Sequence, residues 1–257
     1  MTVDPRFAGI VRLYGLDVFQ RFQAATVIVA GIGGVGSWTA EALARSGVGH
    51  LVLVDADDLC VTNTNRQIHA LEGQFGRSKV RVMAERLRLI DPQIRITEIP
   101  EFYSEKNSAA ILDTAPAAVV DAIDSLRAKC HLLAACRERA LVTVTSGAAG
   151  GRIDPTRIRI DDLARGGRDP LLASVRRKLR TEYGFPGSPA RGEPVLYGID
   201  AVFSDEAARY PTCDGGVSGE RPAEMSGAIG CDAGYGSVTH LTAAFGFACA
   251  ARVLDRL

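Results

Sequence analysis

The chain has 257 residues, 47% hydrophobic and 23% charged, with 30 basic groups balancing 30 acidic ones. That length suits one large α/β domain, or one with an appended lobe, and it can bury a core without disulfide staples. The composition excludes disordered, collagen-like and disulfide-scaffold proteins, and a net charge of +0 carries no global nucleic-acid signal.

Thr26–Ala30 (TVIVA) is an apolar, β-branched run that ends at a glycine cluster, and Ser37–Ser46 follows with helical spacing. Leu51–Val54 reads as a second buried strand ending in Asp55, followed by a helix around Val80–Ile90 that Pro92 stops. The rhythm repeats with a strand at Ile94–Ile99, a helix at Glu105–Asp113, a strand at Ala118–Val120, a helix at Ser125–Ala140 and a strand at Leu141–Thr145. Short apolar strands alternating with helices predict a doubly wound, mostly parallel, Rossmann-like α/β sheet covered on both faces. After Gly147–Gly151 the rhythm breaks, so residues 1–151 are expected to form a nucleotide-binding unit and 152–257 an α/β C-terminal extension packed on the same sheet. In the extension, Arg157–Ile160 reads as an edge strand, Pro170–Tyr183 as a basic amphipathic helix, and Pro194–Phe203 as a strand suited to antiparallel pairing. Residues 205–235, rich in Gly, Pro, Ser and Asp, read as a long mobile loop over the site. The last apolar stretch, Val238–Leu254, carries Thr239, His240, Thr242 and Arg252 and reads as a buried helix, too short for a span but the one candidate for membrane association.

Charge and cysteine placement add detail. Residues 1–151 balance at 16 basic and 16 acidic groups, residues 152–191 hold 10 and 5, and residues 192–257 hold 4 and 9. The basic and acidic stretches either pair or solvate one another, or the basic one forms a local patch for a polyanion. Six scattered cysteines without a CxxC pair, and no secretory leader before Gly9, point to a reducing cytoplasm and away from a four-cysteine zinc site. Cys60, Cys130, Cys136 and Cys249 read as buried fillers, and His50, His131 and His240 as core or surface residues.

Gly31-Ile32-Gly33-Gly34-Val35-Gly36 follows a strand and opens a helix, the context required of a phosphate cradle. Asp55 lies at the end of the second strand, where a carboxylate accepts hydrogen bonds from a ribose hydroxyl. On these residues alone a nicotinamide oxidoreductase and an ATP-using enzyme look alike. Activating a carboxylate with ATP requires cations around a triphosphate and a carboxylate for magnesium. Both kinds of residue follow: Asp57, then Asn63-Thr64-Asn65-Arg66-Gln67, then Lys79 opening a helix, then Asp121-Ala122-Ile123-Asp124 at the end of the fourth strand.

This set, GxGGxG, D-x-D, N-x-x-R-Q, a helix-opening Lys and D-x-x-D, resembles the ubiquitin-activating-like (ThiF/MoeB-type) adenylating enzymes. The resemblance implies that Asp55 contacts the ribose, Arg66 and Lys79 the phosphates and Asp124 a Mg2+ ion, with Asn63 and Gln67 supporting them. Sulfur-carrier activators of that superfamily, which adenylate a small ubiquitin-like protein, usually carry two CxxC pairs that this chain lacks. The run Cys60-Val61-Thr62-Asn63-Thr64-Asn65-Arg66-Gln67-Ile68-His69-Ala70, with Arg12-Leu13-Tyr14-Gly15, Gly147–Pro155, Asp169-Pro170-Leu171 and Ala244-Phe245-Gly246-Phe247, is more similar to the tRNA threonylcarbamoyladenosine dehydratases. That similarity implies an ATP-dependent, carboxylate-activating tRNA-modifying enzyme that closes a ring in the modified nucleoside with loss of water. It gives Arg168, Arg176, Arg177, Lys178, Arg180 and Arg191 a meaning as contacts to tRNA phosphates, although no aromatic stripe indicates base stacking. It also implies a homodimer in which Arg12 reaches the neighbouring ATP site. Cys231, before the last helix, reads either as a structural thiol or as a functional one that acts as nucleophile or meets a cysteine-desulfurase or sulfur-acceptor partner. His69 reads either as a group orienting a phosphate ligand or as a structural cap.

Overall fold

The protein is described by a computed structural model covering residues 3–167, 169–187, 192–212, 214–220 and 235–257. Two short helices, α1 (Ala8–Tyr14) and α2 (Leu16–Ala24), precede the sheet and were not anticipated from the sequence. They are separated by Gly15, whose positive φ of 85° breaks the amphipathic pattern into two pieces too short to stand out.

Strands β1 (Thr26–Ala30), β2 (His50–Val54), β3 (Arg95–Ile99), β4 (Ala118–Asp121), β5 (Val142–Ser146), β6 (Ile158–Asp162) and β7 (Asp200–Ser204) form one seven-stranded sheet of order β3-β2-β1-β4-β5-β7-β6. All neighbours pair in parallel except β6, which runs antiparallel along the edge beside β7. This is the doubly wound Rossmann-like sheet that the sequence predicts. Alternate side chains of β1 point to opposite layers, as a period of two requires. Val27 and Val29 meet the layer made by α3 (Gly36–Arg45), α4 (Lys79–Ile90) and α8 (Thr239–Arg256). Ile28 and Ala30 meet the layer built around α5 (Ser108–Leu112) and α6 (Leu126–Glu138). Outside α6, α7 (Pro170–Glu182) packs through Leu172, Val175 and Leu179.

The extension is woven into the sheet, since β6 and β7 complete it and α8 lies directly on α3. At that crossing Gly246 has no side chain to separate the helices: a Cβ there would sit 2.7 Å from Trp38 Cβ and 2.7 Å from the Val35 carbonyl. The Thr39 hydroxyl closes the contact by donating to the Gly246 carbonyl at 3.2 Å. Apolar burial of this kind stabilises by about 1.5–3 kcal/mol per large side chain. Among the described residues no helix is long and apolar enough to cross a membrane, and the apolar side chains of α8 (Leu241, Phe245, Cys249, Val253) are inside the core.

Two elements and one cysteine differ from expectation. The predicted helix over 105–113 shrinks to α5 because the Asn107 side chain accepts from the Ser104 amide at 2.8 Å and hydroxyl at 3.1 Å, holding 104–107 in a turn. The predicted strand over 194–203 begins only at Asp200, after Gly198 (φ 72°) turns the chain, and it pairs parallel with β5 as well as antiparallel with β6. Cys60 is exposed rather than buried, because of its apolar neighbours only Leu59 enters the core, while Val61 faces solvent. Cys130, Cys136 and Cys249 are buried as expected, with burial pushing each thiol up to about 12. Of the predicted loop over 205–235, a small antiparallel pair is described, β8 (Tyr210–Pro211) with β9 (Val217–Ser218). Cys231, Arg168 and Arg191 lie outside the described residues.

Candidate active site

The strand order reverses between β1 and β4, and in open parallel sheets ligands bind in the crevice outside the carboxyl ends of the strands at such a point. The loop after β1 is the glycine cluster and the loop after β4 leads to Asp124. The two loops touch, since a Cβ on Gly31 would fall 2.6 Å from the Ala122 carbonyl oxygen. Gly36, opening α3, lies against the Gly31 carbonyl with no room for a side chain, whereas Gly33 looks into open space. Gly36→Ala is therefore expected to disrupt the fold of this loop. Gly33→Ala is expected to melt like the parent, since its methyl meets nothing within 4 Å, but to bind nucleotide more weakly if the loop is the phosphate cradle expected from the sequence. Paired melting curves and nucleotide titrations check this contrast.

A chain of polar contacts ties the glycine loop to α4. Buried Asp55 accepts from the Ile32 amide at 2.7 Å through one oxygen and from the Asp57 amide at 2.9 Å through the other. Burial raises the Asp55 carboxyl above its ordinary range, against the opposing pull of Lys79 and the two amides. Asp57 in turn holds the Lys79 ammonium at 2.6 Å; the lysine side chain is 8% exposed and the aspartate 51%, so the ammonium is sheltered while its partner is wet.

Arg66 reaches the glycine loop from the other side. Its aliphatic stem lies 3.4 Å from where a Gly34 Cβ would stand, and its guanidinium donates to the Thr62 carbonyl at 2.8 Å and the Asn65 side-chain oxygen at 3.0 Å. Buried Asn63 folds this segment by accepting from the Cys60 amide at 3.0 Å. Gln67 is buried too, and its side-chain oxygen has no hydrogen-bond partner among the described residues. Contacts from distant segments pin the same loop. Trp38 Nε1 donates to the Arg66 carbonyl at 3.1 Å, the Thr239 hydroxyl donates to the Asn65 carbonyl at 2.6 Å, and the Asn65 amide nitrogen donates to the Ser237 carbonyl at 2.8 Å.

Asp124 is exposed just past β4. Its loop rests on an ion pair that sequence reasoning missed: fully buried Lys129 lies 2.8 Å from fully buried Asp121 and also donates to the Ile123 carbonyl at 3.1 Å. Asp121 further accepts from the Thr145 hydroxyl at 2.7 Å and the Ile123 amide at 3.1 Å. The available signal was that Lys129 sits between Leu126 and Leu133, on the apolar stripe of α6.

The remaining candidate residues are spread out. Arg12 is exposed on α1 beside Leu13 and Leu16, which are 76% and 42% exposed. On α7, Arg176 donates to the Gly166 and Gly167 carbonyls, Arg180 donates to the Tyr197 hydroxyl, Lys178 pairs with Glu182, and Arg177 faces solvent. Asp169 caps α7 and lies 3.5 Å from buried Arg152, tying the Gly147–Gly151 turn to that helix.

A family model for the ThiF family matches residues 7–245. The chain belongs to the ThiF family. Within it, the chain is similar along 98% of its length, at 46% identity, to the tRNA threonylcarbamoyladenosine dehydratase of Escherichia coli, covering 93% of that relative. The Haemophilus influenzae dehydratase is 44% identical over 99% of this chain and 94% of its own length. The solved structure of the E. coli enzyme in complex with ATP superimposes with a TM-score of 0.84 and 42% identity, over 99% of this chain and 96% of that one. ThiF-family membership leaves the nicotinamide reading without support.

Proposed function

We propose that this protein is an ATP-dependent tRNA threonylcarbamoyladenosine dehydratase. The observation that carries the reading is similarity along nearly the whole chain to dehydratases of that name, one of them solved with ATP, combined with a crevice that gathers a glycine loop, Arg66, Lys79 and Asp124 at one end of the sheet. A free carboxylate is a poor acyl donor because it lacks a leaving group. ATP supplies one: a threonine carboxylate oxygen bonds to one phosphorus of ATP as the phosphoanhydride bond at that phosphorus breaks and the rest of the nucleotide, ADP or pyrophosphate, departs, leaving a mixed anhydride. A nitrogen or oxygen of the same side chain then attacks the acyl carbon and loses its proton, and the departing phosphate carries the carboxylate oxygen away. The nucleoside is left lighter by one water. Because the attack is intramolecular, orienting the side chain supplies much of the acceleration.

In this reading the backbone of Gly31, Gly33, Gly34 and Gly36 receives phosphate, and Arg66 and Lys79 neutralise charge as the phosphates separate. Each Asp55 oxygen accepts one backbone amide and retains a lone pair for a ribose hydroxyl. Asn63 and Gln67 support the arginine loop, and Asp57 holds Lys79 until phosphate arrives. Among the described residues no cluster of three or more His, Cys, Asp or Glu side chains could cage a metal. That fits Mg2+, which takes one or two carboxylates and completes its shell with phosphate oxygens and water. Asp124 would hold it, and the bound ion would offset phosphate charge.

For tRNA, solvent-facing Arg177 with Lys178 on α7 offers the phosphate contacts, while Arg176 and Arg180 serve the fold. A second copy packed on α1 and the start of α2 would cover Leu13 and Leu16 and bring Arg12 to its neighbour. Buried free thiols suit a reducing cytoplasm. The test is to incubate the protein with ATP, Mg2+ and tRNA bearing threonylcarbamoyladenosine, digest to nucleosides and weigh them. Loss of one water, abolished by Arg66→Ala and by Asp124→Ala, is the expected result; an unchanged nucleoside mass with ATP bound rejects the proposal.

A further inference from the structure

We propose that His69 is a positioning residue for Lys79: its buried imidazole is the second acceptor for the lysine ammonium and takes it over when Asp57 yields to a phosphate. This rests on the reading of Lys79 as a phosphate ligand.

His69 is 1% exposed, and neither Nδ1 nor Nε2 has a hydrogen-bond partner among the described residues. Every other histidine does: His50 meets the Thr26 and Thr97 hydroxyls, His131 meets the Tyr103 hydroxyl, and His240 meets the Ile153 carbonyl. An unsatisfied buried polar group costs about 1–3 kcal/mol, so its presence calls for a partner in some other state. Two cations are at hand. Ala70, the next residue, shares a buried cluster with Val82 of α4, which sets His69 beside that helix, and on it Lys79 and Arg86 lie seven residues apart on one face. Burial first, then these two charges, push His69 down to about 3. The ring is therefore neutral, with one N–H and one lone pair.

The lone pair's partner follows from what each cation already does. Arg86 is engaged by buried Glu41 through Nε at 2.8 Å and Nη2 at 3.0 Å. Lys79 is a three-donor ammonium held by Asp57 at 2.6 Å. Asp57 is half exposed and a like charge to incoming phosphate, so it is the partner that yields. His69 is fixed and neutral, and it can orient the ammonium without competing for phosphate as a second anion would.

A double-mutant cycle decides the matter, reading ATP affinity by calorimetry and checking each variant's melting curve. His69→Leu in the parent is expected to weaken ATP binding about tenfold, the scale of one hydrogen bond to a charged group. In a Lys79→Met background the same change is expected to add less than twofold, because its effect runs through the lysine. A full tenfold loss in that background, or no loss in the parent, overturns the inference. Asn and Gln place an amide oxygen near the positions of Nδ1 and Nε2 respectively, so either His69→Asn or His69→Gln is expected to restore affinity. Failure of both while folded also overturns it, and these two variants keep the test open if His69→Leu does not fold. Unchanged ATP binding in Lys79→Met alone would strike the phosphate role of Lys79 instead, a separate outcome.

Discussion

Turnover of tRNA and ATP should fall by about 10²–10³-fold when Lys79 becomes methionine, the scale seen when one preorganised charge partner is removed from a transition state. Stability should hardly move. The substitution keeps the buried aliphatic stem, and the carboxylate left behind on Asp57 is 51% exposed and returns to water, so the lost pair is worth no more than about 1 kcal/mol. Steady-state kinetics with the modified tRNA, read beside melting curves, separate the two effects. Turnover within a few-fold of the parent would remove Lys79 from the phosphate site.

The largest stability effect is expected at a position with no direct part in the chemistry. Lys129→Met strands the Asp121 carboxylate in the core beneath the Asp124 loop, and breaking one side of a fully buried pair typically costs about 3–5 kcal/mol. Adding Asp121→Asn removes the second charge: its amide oxygen keeps the bond from the Ile123 amide and its NH2 group meets the Thr145 hydroxyl, which accepts as well as donates, so the double variant should recover most of the loss. Urea midpoints of the two single variants and the double variant test this. A loss below about 1 kcal/mol in Lys129→Met would mean that the pair does not hold the loop.

Those two residues also mark how far the sequence could be read. Lys79 announced itself because it opens a helix after an N-x-x-R-Q run, and the strands announced themselves as short apolar runs whose neighbours on both faces had to be helices. Lys129 carries the same charge but stands mid-helix, where a lysine reads as solvated until its place on the apolar stripe is noticed. The clamp on the Arg66 loop had no local signal, since Trp38, Thr239 and Ser237 reach it from segments far apart in the chain. Cys60 misled for the opposite reason: an apolar neighbourhood in sequence did not become one in space. On α7 the count of positive charges was legible, but not that Arg176 and Arg180 are occupied with backbone and tyrosine oxygens.

The crossing of α8 over α3 bears on the order of assembly during synthesis. Strands β1 to β5 and the glycine loop emerge from the ribosome well before α8, yet the apolar face of α3 and the Asn65 backbone carbonyl find their partners only once that helix arrives, and the Arg66 carbonyl, already held by Trp38, then gains the Thr242 hydroxyl. A nascent chain would thus carry an incompletely tied phosphate loop and an uncovered helix face until α8 docks. Nucleotide binding and final docking should then be linked, with ATP favouring the chain that has both in place.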